Sequence, residues 1–116
     1  MSLAVSRVSV LSDLVTCGKP IDVLAATMSD LGWSETPMVV LTTDHILSVL
    51  RRFQSGELTA ADVEAWADLI ECREDIDYQP DRHEDILEAI YVLANPVLNG
   101  PLDEALTDQV IASLSA

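Results

Sequence analysis

The chain has 116 residues, of which 20 are Asp or Glu and 6 are Lys or Arg, so its formal net charge is −14. Such a charge repels phosphate backbones and anionic lipids, which argues against direct binding to nucleic acid or to a membrane surface. Hydrophobic residues make up 49% of the sequence, too many for a disordered acidic tail. Length and composition therefore predict one domain, residues 1–116, with a core of its own.

The start of the chain does not have the pattern of a targeting segment. No basic stretch precedes an apolar one, and Arg7 and Asp13 interrupt the apolar run. No later stretch approaches the roughly 18 uninterrupted apolar residues of a membrane helix. Cys17 and Cys72 lack metal-site or redox spacing and are expected to be thiols. The predicted location is the cytoplasm.

Apolar residues recur at helical spacing through the first third of the chain. The segment from Ser6 to Val15 is predicted as a helix, although Val8 and Val10 also alternate as in a strand. A second helix is predicted from Ile21 to Gly32. The short apolar run Met38-Val39-Val40-Leu41 predicts either a lone strand or an extended connector packed on the core.

The middle of the chain has the clearest helix signals. The segment from Thr43 to Gly56 is predicted as a third helix with Thr43 as its N-cap. Thr59 and Asp62 have capping-box spacing and predict a fourth helix that runs to about Arg73. The core-facing side chains predicted for this fourth helix are Val63, Trp66, Ala67 and Ile70.

Two more helices are predicted in the C-terminal part. One follows the loop from Glu74 to Pro80 and uses Asp81 with Glu84 as a second capping arrangement. The other runs from Asp103 to Leu114. The predicted fold is therefore mostly α, a small bundle of five or six helices with at most one short strand near residues 38–41.

The stretch from Glu57 to Glu88 is dense in carboxylates. It contains 12 of the 20 acidic residues against only Arg73 and Arg82, a net charge of −10. Like-charge pairs at i, i+4, such as Glu64 and Asp68, each destabilise a helix by about 0.2–0.5 kcal/mol. A basic protein partner would relieve this repulsion, whereas the alternative is a solvated face with no partner.

The two tryptophans are given different predicted roles, and one of them is added to the residues predicted to bind a partner. Trp66 lies on a predicted core face and is assigned a structural role. Trp33 lies in a loop beside Gly32, where a contact hot spot and a plug of the core are equally open. The residues predicted to bind a partner are Asp62, Glu64, Asp68, Glu71, Glu74, Asp75, Asp77 and Trp33.

No motif for catalysis, metal binding or a cofactor is complete. The run that starts Asp75-x-Asp77 resembles the beginning of an EF-hand loop, but Pro80 occupies the glycine position and Ile86 the position of the bidentate Glu. HExxH, GxxxxGK[ST] and GxGxxG motifs are absent. We therefore predict no catalytic residue, no metal ligand and no cofactor.

A short segment resembles a known family. The run Phe53-Gln54-Ser55-Gly56-Glu57-Leu58-Thr59-Ala60, continuing through Glu64, resembles a helix-turn-helix stretch of small acidic immunity proteins of the colicin D and pyocin type. Those families fold as helical bundles and neutralise a basic nuclease toxin by covering its active cleft with acidic side chains. The resemblance implies an inhibitor whose carboxylates stand in for nucleic-acid phosphates.

Three hypotheses follow from these observations. The first is a non-catalytic acidic protein-binding module, an immunity-like inhibitor of a basic protein partner. The second is a structural or regulatory homo-oligomer, in which apolar stripes pair identical chains as a homodimer. The third is a divalent-metal-dependent enzyme that uses the acidic cluster from Asp75 to Glu88.

Overall fold

The structure, a computed structural model, describes residues 3–31, 37–71 and 73–115. The helices are α1 (Leu3–Thr16), α2 (Ile21–Leu31), α3 (Thr43–Gln54), α4 (Ala60–Glu71), α5 (His83–Ala94), α6 (Pro96–Asn99) and α7 (Glu104–Ser115). The strands are β1 (Val39–Leu41) and β2 (Ile76–Tyr78), and a 3-10 turn (Pro80–Arg82) precedes α5. Six of these helices have 11 to 14 residues, which confirms the predicted mostly α bundle.

The two strands form a small parallel sheet. Val39 lies opposite Ile76, and Leu41 lies opposite Tyr78. The crossover between the strands consists of α3 and α4, as parallel pairing requires a long connection. The strand near residues 38–41 is thus confirmed, whereas β2 was not predicted, because its three residues lie in the segment predicted as a loop from Glu74 to Pro80.

The predicted core face of α4 is confirmed. Val63, Trp66, Ala67 and Ile70 are all completely buried. The indole Nε1 of Trp66 donates a hydrogen bond to the carbonyl oxygen of Leu14 at 2.6 Å. This bond satisfies the buried N–H group and connects α4 to the C-terminal end of α1, so Trp66 has the structural role predicted for it.

The C-terminal end of α1 is closed by a Schellman motif. Cys17 N donates to Leu14 O at 3.0 Å, and Gly18 N donates to Asp13 O at 2.9 Å. Cys17 occupies the left-handed position, with φ of 50°, that glycine usually takes. Arg52 Nη1 donates to the Cys17 carbonyl at 2.9 Å, and burial raises the pKa of the free Cys17 thiol while Arg52 opposes that rise.

Helix caps correct two predictions. Thr42, not Thr43, is the N-cap of α3: its Oγ1 accepts from His45 N at 3.4 Å, and His45 Nδ1 accepts from Thr42 N at 3.0 Å. Thr42 has the extended backbone that an N-cap requires. The start of α5 has no side-chain cap, so the arrangement predicted there for Asp81 and Glu84 is wrong, because Asp81 lies inside the 3-10 turn.

The capping box of α4 is confirmed. Asp62 Oδ2 accepts from Thr59 N at 2.9 Å, and Thr59 Oγ1 accepts from Asp62 N at 3.1 Å. The helix ends at Glu71 rather than at about Arg73. Across the described ranges, no helix combines the length and the apolar character that crossing a bilayer requires.

Candidate protein-binding surface

Six of the residues predicted for partner binding face the solvent in full or in part, and two of the six, Asp62 and Glu71, also take part in contacts that hold the fold. Glu64 and Asp68 lie one turn apart on α4, and Asp68 is exposed while Glu64 is half-buried. Glu74 is exposed in the connection to β2. Asp77 is the middle residue of β2, where alternation directs its side chain outward and buries both neighbours. Its Oδ1 accepts a local bond from Tyr78 N at 2.9 Å.

The prediction that Asp75 belongs to an exposed docking surface is wrong. Asp75 is completely buried, and its two carboxylate oxygens accept from Arg73 Nε and Nη2, each at 2.8 Å. The backbone of Asp75 continues the strand pairing, because Met38 N donates to Asp75 O at 2.9 Å one residue before β2 begins. Arg73 supplies the opposite charge from two positions away.

Two of the six solvent-facing residues take part in contacts that hold the fold. Asp62 forms the capping box of α4. Glu71 Oε2 accepts from Asn95 Nδ2 at 2.8 Å, and the same amide nitrogen donates to Tyr91 O at 2.8 Å. Asn95 therefore bridges the end of α4 and the end of α5. The remaining predicted residue, Trp33, lies outside the described residues.

Acidic residues of the 3-10 turn and α5 were not among the predicted site residues. Asp81, Glu84 and Glu88 are all exposed. Their sequence signal was the i, i+4 spacing of Glu84 and Glu88, and α5 packs against α4 in the fold. The acidic residues of this part of the chain thus lie on two adjacent helices and on the connection between them.

Seven carboxylates of the Glu57–Glu88 stretch form no ion pair and no hydrogen bond to another element among the described residues. We call these seven side chains the acidic surface. Its members are Glu64, Asp68, Glu74, Asp77, Asp81, Glu84 and Glu88.

Most of the positive charge of the chain is already paired. Of the six Lys and Arg residues in the sequence, four form ion pairs among the described residues, with carboxylates outside the acidic surface. The pairs are Lys19 with Asp13 at 3.2 Å, Arg52 with Glu57, Arg73 with Asp75 at 2.8 Å, and Arg82 with Asp85 at 2.9 Å. These four ion pairs therefore do not offset the charge of the acidic surface.

The carboxylates are spread out rather than converged. In residues 3–31, 37–71 and 73–115, no three His, Cys, Asp or Glu side chains form a group that could hold a metal ion. Burial separates the first two carboxylates of the EF-hand-like run, because Asp75, just before β2, is buried with Arg73 while Asp77, in the middle of β2, is exposed. What the surface offers is an extended set of anionic hydrogen-bond acceptors.

The helix-turn-helix segment from Phe53 to Glu64 comprises the end of α3, a turn and the start of α4. Gly56 lies in this turn with φ of 87°. The turn amides of Glu57 and Leu58 donate to Arg52 O at 2.9 and 3.2 Å. Comparison with known proteins found no matching family model, no matching curated protein and no matching solved structure.

Proposed function

We propose that the chain is a non-catalytic protein-binding module that docks a basic protein through the acidic surface. The proposal rests on the observation that the fold pairs some of its carboxylates with arginines and leaves others unpaired. The fold pairs Asp75 and Asp85 with arginines, yet it leaves all seven members of the acidic surface without a cationic partner among the described residues. Lys and Arg side chains of a partner would form ion pairs with these carboxylates and reduce the repulsion between them.

The partner class that suits such a surface is a protein with a basic, anion-binding cleft. Exposed carboxylates can occupy the positions that phosphate groups take in such a cleft, because both present oxygen acceptors with negative charge. A nuclease is one such protein, so the proposed role is that of an immunity-like inhibitor. Association would be fast and sensitive to salt.

The experiment is a capture from a lysate of the encoding organism at low and high salt. The test variant neutralises four exposed members of the acidic surface, D68N, E74Q, D77N and E84Q. The control variant removes four exposed charges elsewhere, D22N, D44N, E104Q and D108N. Asp75 is left intact in both, since its burial would confound binding with folding.

The proposal predicts a basic protein that is captured by the wild type and by the control variant at low salt. The same protein should be absent from the test-variant capture and from all captures at high salt. Equal capture by all three proteins would show that the acidic surface does not bind the partner. Empty captures throughout would remove the proposal.

A homo-oligomer is the second candidate, favoured by one observation. Leu87 and Tyr91 lie at i, i+4 on the outer side of α5 and are 47% and 43% exposed, and Leu98 is 70% exposed. An apolar face of this kind can pair with a second copy. Light scattering would then show a dimer that persists at high salt, and L87Q together with Y91Q would return it to a monomer.

A further inference from the structure

A groove runs between α5 and α7. On α5 its lining residues are spaced i, i+3, i+4 and i+7, and the same spacing recurs on α7. The lining residues are Asp85, Glu88, Ala89 and Val92 on α5, with Leu106, Gln109, Val110 and Ser113 on α7. Arg82 Nη2 donates to Ser113 O at 2.8 Å at one end of the groove. Seven helical residues correspond to about 10 Å of groove length.

At its other end the groove opens into a second depression of about 310 Å³, and Val92 and Leu106 line both. The start of α4, the end of α5 and the segment before α7 enclose this depression. Its other lining residues are Ala60, Ala61, Glu64, Leu93, Pro96, Gly100, Pro101 and Leu102. Nearly all of these are apolar, so the depression suits an apolar side chain.

The charged residues that line the groove and the depression are all acidic: Asp85, Glu88 and Glu64. Asp85 is paired with Arg82 at the closed end, while Glu88 and Glu64 belong to the acidic surface. An occupant must therefore combine an apolar stripe with flanking positive charge. A second copy of this chain, with its net charge of −14, fits poorly beside these carboxylates.

We propose that this groove binds an amphipathic basic helix of the partner protein, with one apolar side chain inserted between Val92 and Leu106. A helix laid between two helices presents anchors at i, i+4 and i+7, and its Lys or Arg residues then reach Glu64 and Glu88. The inference rests on the proposed function, because it assigns to the basic partner a second, apolar contact. This apolar contact would make the interaction partly resistant to salt, whereas docking through carboxylates alone would be weakened by salt.

The test uses a fluorescently labelled helical peptide with Leu at i, i+4 and i+7 and Lys at the flanking positions, and its affinity is measured by anisotropy at low and high salt. A second peptide has the same composition with the Leu positions scrambled. The groove variant V92T is nearly isosteric and places a hydroxyl in the depression, and V23T on α2 is its matched control, since Val23 is an exposed valine outside the groove. The rim variant is E64Q with E88Q, and its control is D22N with D44N.

The expected results separate the two contributions. The striped peptide should bind V92T roughly threefold to tenfold more weakly than V23T at both salt concentrations, because a hydroxyl meets an apolar side chain. The rim variant should bind it on the order of tenfold more weakly at low salt only. The scrambled peptide should bind weakly to every variant.

The inference is overturned if the striped and scrambled peptides bind equally well, or if V92T and the rim variant bind like their controls. Failure of the striped peptide to bind the wild type also overturns it. These outcomes leave the proposed function standing as long as D68N, E74Q, D77N and E84Q still abolish partner capture, since none of these four residues lines the groove or the depression. If that capture experiment fails as well, both proposals fall.

Discussion

Arg73 and Asp75 form a fully enclosed ion pair, with side-chain exposures of 5% and 0%. Two parallel hydrogen bonds of 2.8 Å offset the cost of removing both charges from water. Both residues lie in the connection between α4 and β2, and the carbonyl of Asp75 also accepts a bond from Met38 N. The charge of Asp75 thus serves the fold rather than a partner.

Replacing Asp75 with Asn should destabilise the protein strongly. The substitution leaves the Arg73 guanidinium buried without a counter-charge, a change that costs about 3–5 kcal/mol. D77N is the matched control, since Asp77 faces outward two residues later and its loss should change the free energy of unfolding by less than about 0.5 kcal/mol. Urea unfolding measures both. Equal effects of D75N and D77N would contradict the buried pair.

His45 introduces a pH dependence at the start of α3. Burial lowers the pKa of its imidazole, with Asp44 opposing, and Nδ1 accepts from Thr42 N only when that nitrogen carries no proton. Because the pKa is lower in the folded state, the unfolded chain binds the proton more readily. Stability is therefore fully present above about pH 6.5, the ordinary histidine value, and is lost as the pH falls through the folded pKa.

H45Q separates this effect from the titration of the carboxylates. Glutamine keeps an acceptor at the third helical position and does not titrate. The wild type should lose stability relative to H45Q as the pH is lowered from about 7 to 5, as measured by urea unfolding at each pH. A constant difference between the two proteins over that range would show that His45 does not titrate in a pH-sensitive contact.

At the scale of elements, the like charges on the outer face of α4 lower the stability of the fold, although the same carboxylates belong to the proposed binding surface. Glu64 and Asp68 lie at i, i+4 with like charge. Neutralising the pair with E64Q and D68N should raise the free energy of unfolding by about 0.2–0.5 kcal/mol in low salt. Thermal unfolding at low and high salt measures the gain, which should shrink with added salt. Destabilisation by this double variant would mean that the two carboxylates hold the fold.

Sequence patterns within a single helix were sufficient to predict α4. The stripe of α4 and its capping box depend on neighbours within one helix, so Trp66 and Asp62 could be placed from spacing alone. The strand β2 has no such signal, because its three residues are defined by pairing with β1, 37 positions earlier. Asp75 is buried beside that strand pair, where it binds Arg73 and its carbonyl accepts from Met38 N, and the spacing of the acidic residues indicates neither contact.

The assignment of the α3 cap failed for a smaller reason. Thr42 and Thr43 are adjacent and have the same side chain, so composition could not decide which of them precedes the helix. The backbone decides, because Thr42 is extended with ψ of 166° while Thr43 is the first helical residue. The acidic stretch that forms the candidate surface was also evident from the sequence. The sequence did not indicate which of its carboxylates form contacts within the fold and which face the solvent.

At the scale of the whole molecule, the fold separates its charges. Among the described residues, four cations are paired with carboxylates outside the acidic surface, and the seven acidic-surface carboxylates have no cationic partner. Two of them line the proposed binding groove: Glu88 lies in the groove between α5 and α7, and Glu64 lies in the adjoining apolar depression. A partner that is both basic and amphipathic would contact all of these features. The charges would govern the rate and the salt dependence of association, and the groove would slow dissociation of the complex.

The most direct test is the dissociation constant of the captured basic partner as a function of salt concentration, measured for the wild type, the variant D68N/E74Q/D77N/E84Q and the control variant D22N/D44N/E104Q/D108N. We expect the test variant to bind about tenfold more weakly at low salt and to have a shallower salt dependence, while the control stays close to the wild type. Identical constants and slopes for the test and control variants would contradict docking through the acidic surface.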